Sequence, residues 1–302
     1  MLLRELDRAL AEDALNAGVL LVNDGSVEPA PEDLATGLAL LREVEILHLR
    51  RNLGHQRAIA VGLAFIYDNR PCSAVVVMDG DGEDSPSDVP RLLGRSRAGA
   101  GKFVVFAKRR RRAEGRFFRL MYWVFRAAHR ILTGRRVEVG NFSVVPWEQL
   151  SRLAAVSESW NHYAASIFKA GIPVELEPAD RAARMAGRSK MDIVSLVTHG
   201  LSAMSVFADV IGVRLLIGAF VFAALSVAAL VGVVGVKVFT DWAIPGWATA
   251  AAGLSLVIFL QVLGMSLFFV FVALHGRSGL TFLPIRDYGY FVHEITRVHP
   301  SK

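Results

Sequence analysis

Two carboxylates one residue apart, Asp79 and Asp81, close the apolar run Ser73–Met78 in the string Asp79-Gly80-Asp81-Gly82-Glu83-Asp84-Ser85-Pro86. On a turn, that spacing lets both side chains reach one hard divalent cation. A cation bridging a diphosphate neutralises the charge that develops as the diphosphate departs. Taken alone, an acidic turn is equally at home in solvent. A second polar turn, Asn23-Asp24-Gly25-Ser26, ends the apolar run Gly18–Val22. Asp24 there reads either as a ligand-facing residue or as a turn residue capping the helix after it. Between Lys108 and Arg136 there are eleven Lys or Arg against one acid, Glu114, and so dense a block needs solvent or an anionic partner.

The elements that would position these residues alternate. Leu3, Leu6 and Leu10 mark one face of a helix. Strands are expected at Gly18–Val22, Val44–Leu49, Ser73–Met78 and Phe103–Ala107. Helices are expected at Leu34–Leu41, at Arg57–Tyr67 and from Ser87, with a loop at Glu175–Asp180. Such alternation predicts an α/β domain with a mostly parallel sheet covered on both faces. Ligands gather at the carboxyl ends of the strands in such sheets, so the two polar turns could face one cleft.

The composition points to a membrane. Hydrophobic residues make up 53% of the 302 and mean hydropathy is +0.40, with the surplus concentrated between Leu215 and Leu274. There only Lys237 and Asp241 are charged, both in the break between two apolar runs long enough to span a bilayer. The expected anchor is a transmembrane hairpin. Arg214 precedes it and Arg277, Arg286, Arg297 and Lys302 follow it, a bias that places both flanks in the cytosol. The N-terminus has no signal-peptide core, and the single cysteine, Cys72, excludes an internal disulfide. Net charge is +6, but within the basic block the apolar residues of Phe117–Leu132 recur with helical spacing. That pattern suits an amphipathic helix on anionic lipid, not nucleic acid.

The order Leu20-Leu-Val-Asn-Asp-Gly-Ser26, Arg51-Asn-Leu-Gly-His-Gln56, Val77-Met-Asp-Gly-Asp81 with Asp84-Ser-Pro86, then Phe106-Ala-Lys-Arg-Arg-Arg-Arg112, Gly140-Asn-Phe142 and the Arg181–Lys190 segment resembles the inverting family 2 glycosyltransferases of the GT-A fold. Within them it is most similar to the polyprenyl-phosphate sugar synthases. The resemblance implies a GT-A, Rossmann-like domain over residues 1–190, an interfacial helix over 191–214, the hairpin over 215–274 and a cytosolic tail over 275–302. It implies a nucleotide-sugar site at Asn23, Asp24, Asn52, Gly54, Gln56 and Asp79, with Mg²⁺ or Mn²⁺ on Asp79 and Asp81. Arg109, Arg112, Arg184, Arg188 and Lys190 would hold phosphates. The partners implied are a UDP- or GDP-sugar, a polyprenyl phosphate and the membrane, most simply a bacterial inner membrane, and a homo-oligomer is left open.

Two departures from the family pattern stand out. Where the family's Gly-Asp-Phe carries a general base, this chain has Asn141, and an amide cannot accept a proton usefully at neutral pH. Either Glu138 substitutes, or an already anionic lipid phosphate needs no base. The family's opening strand, an inner strand of the sheet with a Pro-x-Tyr-Asn-Glu type motif, has no counterpart ahead of the first helix, so either the natural chain is expected to begin upstream of Met1 with it, or another segment fills the gap or the sheet rearranges around it. Trp160-Asn-His-Tyr163 reads as a packed aromatic turn or as a determinant of acceptor choice. Rival readings are transfer to another membrane glycolipid or polysaccharide, or a catalytically silent scaffold.

Overall fold

The structure of the chain, a computed structural model, describes residues 1–11, 15–31, 33–109, 116–135, 139–179, 193–240, 246–278 and 282–299. These fall into two compact units. One joins Met1–Arg116, Val137–Val206 and Phe282–Lys302, and the other joins Phe117–Arg136 and Phe207–Thr281.

The first unit opens with α1 (Leu2–Ala11), whose Leu3, Leu6 and Leu10 are buried as their spacing predicts. Then come β1 (Ala17–Asn23), β2 (Leu41–Leu49), α2 (His55–Asn69), β3 (Ala74–Val77), α3 (Val89–Ala98) and β4 (Val104–Arg109). Helix α4 (Arg116–Thr133) belongs almost wholly to the second unit. The first resumes with β5 (Ser143–Pro146), α5 (Trp147–Ala154), α6 (Tyr163–Lys169), β6 (Val174–Ala179) and α7 (Ile193–Ser205). The second unit then supplies α8 (Ala208–Phe239) and α9 (Trp247–Ser278), and β7 (Val292–His299) lies in the first.

The expected α/β class holds, with layers on both faces of the strands. One apolar cluster joins Leu6 and Leu10 of α1 and Leu92 of α3 to Val44, Val105 and Val144. Another joins Leu63 of α2, Leu150 of α5 and Ile167 of α6 to Val77, Phe106 and Val145. Neighbouring strand residues thus point to opposite layers.

The sheet itself is mixed instead of mostly parallel. β1–β2 and β4–β6 pair parallel, whereas β3–β5, β4–β5 and β2–β7 pair antiparallel. The stretch between β4 and β5 is long enough to return the chain in either sense, and β5, buried throughout, enters in reverse between β3 and β4. The strands form two ladders, β1-β2-β7 and β3-β5-β4-β6. Among the described residues β1 and β3 therefore each have one hydrogen-bonded neighbour. They share a core all the same, since Val19 and Leu21 of β1 and Ala74 and Val76 of β3 pack on one cluster. Among the described residues the two ladders are not hydrogen-bonded to each other within that shared core.

Three segments differ from expectation. Leu34–Leu41 is not helical, because Asp7 accepts from the backbone N–H groups of Ala39, Leu40 and Leu41 at 2.8–2.9 Å and takes those donors away from any helix. The expected loop at Glu175–Asp180 is a strand as far as Ala179: Glu175 and Glu177 lie on β6, where Arg95 and Arg91 of α3 pair with them at 2.6 and 2.5 Å, and residue 180 lies outside the described residues. The charges that make the segment read as a loop are neutralised by a helix distant in sequence. Nor is the segment after the hairpin a free tail. Strand β7 extends the β2 edge, and Arg297 reaches Glu43 at 2.6 Å. The buried Glu45 is held by Nη2 and Nε of Arg70 at 2.7 and 2.9 Å.

In the second unit, a Cβ placed on Gly212 would lie 3.6 Å from Phe269 and Val270, so the start of α8 meets the end of α9 and the helices are antiparallel. Both are long and apolar enough to cross a bilayer, and their apolar side chains are largely exposed. The chain is a membrane protein with a C-terminal hairpin. The first span begins at Ala208, earlier than its apolar run, and the expected interfacial helix is divided into α7 and the first turns of α8. Arg214 donates to the Ile131 carbonyl of α4 at 2.6 Å, and His129 of α4 stands edge-on to Phe207. The basic helix is thereby fixed to the root of the hairpin, with Trp123 and Ile131 exposed.

The Asp7 latch gives a measurable expectation. Burial opposes its charge, but the three backbone donors outweigh that, and its pKa lies below the ordinary value. Asp7→Ala strands those donors and should cost about 1–3 kcal/mol of stability. Because the folded-state pKa is depressed, the contribution is complete above the unfolded value and disappears as pH falls through the folded one. Melting curves of the two proteins should therefore separate at pH 7 and converge in acid.

Candidate active site

The two polar turns predicted from the sequence meet at the first turn of α2. At the end of β3, Asp84 accepts the backbone N–H of Asp79 at 2.9 Å, and Asp81 accepts that of Glu83 at 3.0 Å, so the acidic string folds back on itself. His55, the first residue of α2, places Nε2 3.0 Å from Asp79 Oδ1. This hydrogen bond, opposed by burial and aided by Asp81 and Asp84, raises the His55 pKa. Asp79 thus already faces an imidazole partner. Two carboxylates on one turn are the hard oxygen donors that Mg²⁺ or Mn²⁺ takes, and such ions keep waters and substrate phosphates in their remaining positions. The donor set fits the implied metal in that limited sense, since among the described residues no three ligand-type side chains form a cage.

At the end of β1, Asp24 commits both carboxylate oxygens to the backbone ahead of α2, accepting Leu53 N–H at 2.6 Å and Gly54 N–H at 2.9 Å. Asn52 returns the contact by donating to the Asp24 carbonyl at 3.0 Å. Asp24 thus latches the loop that starts α2, with one lone pair left on each oxygen, and 34–41, the helix it would cap, is not helical. Gly25 has φ +72°, and a Cβ there would meet Asn52 N at 2.7 Å, so the latch requires glycine. Asn23 accepts Ser26 N–H at 2.8 Å and donates to His48 Nδ1 at 3.1 Å, leaving His48 Nε2–H to face Thr296 of β7. The side chains of Asn23 and Asp24 serve the turn and the loop. Any nucleotide here would meet the surface they shape.

Gln56, the second residue of α2, reaches the other side. Its Oε1 accepts Tyr163 N–H at 2.7 Å and its Nε2 donates to Asn141 Oδ1 at 3.3 Å. Tyr163 is fully buried, and burial raises its pKa, so the phenol is neutral. Ser143 donates to the Asn141 carbonyl at 2.9 Å, which leaves the Tyr163 hydroxyl to donate to Ser143 at 2.7 Å. Val77 is paired with Ser143, so Asp79 and Asn141 leave the ladder side by side. Consecutive residues of one helical turn thus grip the acidic turn and the family's base position.

Beyond Tyr163, His162 caps α6, its Nδ1 accepting Ala165 N–H at 3.3 Å. Its Nε2–H then faces His199 Nε2 of α7 at 3.3 Å. Burial, and after it the charge of His55, lower the His199 pKa, with Asp79 opposing. Trp160 is part of an aromatic cluster with Phe282 and Phe291, and Arg57 of α2 lies over its ring at 5.2 Å. The packed aromatic turn read from the sequence is present, and Tyr163 at its end belongs to the site.

Arg109 ends β4, paired with Ala179 of β6, so the two basic stretches that follow begin at neighbouring strand ends. The Arg109 side chain, together with Arg112, Glu138, Arg184, Arg188 and Lys190, lies outside the described residues. Sequence reasoning missed His55, Ser143, Tyr163 and His199. His55 lies inside a quoted motif, and Tyr163 in a segment already singled out; Ser143 and His199 carry no local signal.

Residues 1–148 match the family model described as Glycosyl transferase family 2. The chain is 23% identical over 258 residues to an uncharacterized glycosyltransferase, YkcC, of Bacillus subtilis, covering 82% of this chain and 75% of that protein. It is 28% identical over 196 residues to a bactoprenol glucosyl transferase of Shigella phage SfX, covering 63% and 62%. It is 32% identical over 117 residues to an undecaprenyl-phosphate 4-deoxy-4-formamido-L-arabinose transferase of Erwinia tasmaniensis, covering 38% and 34%. The chain spans three quarters of the first relative but less than two thirds of the other two. Residues 1–148, the segment that carries both polar turns and the first turn of α2, form a glycosyl transferase family 2 domain.

Proposed function

We propose that this protein transfers a hexose or related sugar, with inversion, from a UDP- or GDP-sugar to a polyprenyl phosphate at the cytosolic face of a bacterial inner membrane. The observation that carries this reading is the meeting of Asp79 and Asn141 at the first turn of α2, in a chain whose first unit is tied to a membrane hairpin at both ends. Two relatives named for bactoprenol or undecaprenyl phosphate support the choice of acceptor.

In such a transfer an acceptor phosphate oxygen attacks C1 of the sugar as the C1–O bond to the diphosphate breaks on the opposite side. Asp79 and Asp81 would hold Mg²⁺ or Mn²⁺, which supplies neutralisation of the diphosphate charge. His55 holds Asp79 in place, and the latched loop Asn52–Gly54 borders the donor side. The basic stretches after Arg109 and Ala179 would meet phosphates, and α4 would meet anionic headgroups. A phosphate acceptor is ionised at neutral pH, so the absence of a carboxylate at position 141 does not oppose the reaction.

The test is incubation of the detergent-solubilised chain with labelled sugar nucleotides and undecaprenyl phosphate, followed by extraction of the lipid phase. Label should enter the lipid as nucleoside diphosphate is released. Label confined to water would refute the acceptor. Asp81→Ala should lower transfer by roughly two orders of magnitude, and full activity in excess chelator would refute the metal. Gly25→Ala should disturb the latch and weaken donor binding roughly tenfold, equivalent to about 1.4 kcal/mol. A thermal shift by the nucleoside diphosphate reads this, and equal shifts in both proteins would show that the loop does not border the donor.

A further inference from the structure

Position 141 differs from the family pattern, and the hydrogen bonds around it fix more than its identity. A backbone N–H can only donate, so the bond from Tyr163 N–H at 2.7 Å identifies the Gln56 atom it meets as Oε1. The other arm of Gln56 is then the amide nitrogen, a donor, and the Asn141 atom that it meets at 3.3 Å must be Oδ1. Asn141 Nδ2 is consequently turned away from Gln56. Among the described residues it makes no hydrogen bond, although Asn141 as a whole is only 9% exposed. The main chain of Asn141 is held as well, its carbonyl accepting from Ser143, whose hydroxyl accepts in turn from the buried Tyr163 phenol. Neither end of the residue is free to rotate without breaking a buried bond.

We infer that Asn141 presents its Nδ2 amide as a hydrogen-bond donor to an anionic phosphate oxygen in the cleft, with Gln56 as the positioning residue that sets the amide's orientation. The inference rests on the reading above, that the site takes a sugar nucleotide and a phosphate acceptor, and it specifies what the substitution at the base position does. A carboxylate at 141 would accept the bond from Gln56 equally well but would turn a second acceptor, negatively charged, toward the phosphate. The amide keeps the inner bond and reverses the outer polarity. A proton acceptor has been exchanged for a donor suited to oxygen that is already ionised.

The two sources of phosphate oxygen, the lipid acceptor and the departing diphosphate, are separated by steady-state kinetics of the full chain in nanodiscs. Asn141→Asp is nearly isosteric and should lower kcat/KM for undecaprenyl phosphate roughly 100-fold, at unchanged melting temperature. A rise confined to the acceptor KM assigns the contact to the lipid phosphate, and one confined to the nucleotide-sugar KM assigns it to the diphosphate. Gln56→Glu tests orientation with Asn141 intact. One carboxylate oxygen still accepts Tyr163 N–H, while the other draws Nδ2 inward and turns Oδ1 to the cleft, so the same KM should rise. Activity of Asn141→Asp equal to or above the unmodified protein would overturn the inference, for it would show that the position wants a base. Loss in Asn141→Asp with normal KM values in Gln56→Glu would overturn the role of Gln56. No transfer to undecaprenyl phosphate by the unmodified chain would instead strike at the proposed acceptor, and this inference would fall with it.

Discussion

The constraint on which the site depends is the placement of the first turn of α2. Asp24 fixes its entry through two backbone N–H groups, and from there His55 and Gln56 reach in different directions, one to Asp79 and the other to Asn141 and Tyr163. Adjacent helical residues project about 100° apart, so one turn can address two strand ends at once. The geometry is held by a directed chain of donors and acceptors that runs from a buried neutral phenol through Ser143 to the Asn141 carbonyl. Reversing any one of these groups would strand a buried polar atom, and that penalty gives the site its direction.

The same helix is also held from behind. Arg70, just past its end, grips the buried Glu45 of β2, and Tyr288, in the segment following the hairpin, donates to Asp68 at 2.5 Å while accepting from Asn69. Strand β7 then pairs along β2. The chain leaves the first unit after Val206 and rejoins it at Phe282, so the segments before and after the hairpin both belong to the body that carries the site.

Much of the site was legible from the sequence, and its legibility has a physical basis. Strand ends followed by Gly, Asp and Asn mark sharp polar turns, and the apolar length of α8 and α9 can be read because lipid imposes one composition on a whole span. The acidic turn, the loop before α2 and the hairpin all announce themselves through local rules of this kind. Hydrophobic spacing likewise marked α1 and α4.

The tertiary structure decided the remainder, and in each case the cause is a partner far along the chain. Glu175 and Glu177 read as loop residues until Arg95 and Arg91 neutralise them, and 34–41 reads as helix until Asp7 takes its donors. The reversed entry of β5 and the return of β7 to β2 leave no local trace, because strand direction is set by where the connection ends and not by the residues of the strand. Sequence alone established that position 141 is an amide, and hence no base. Which end of that amide is bound to Gln56 and which is turned away depends on that residue, 85 positions earlier, and on a backbone N–H at Tyr163, since an amide has a donor and an acceptor end and only its neighbours in space can choose between them.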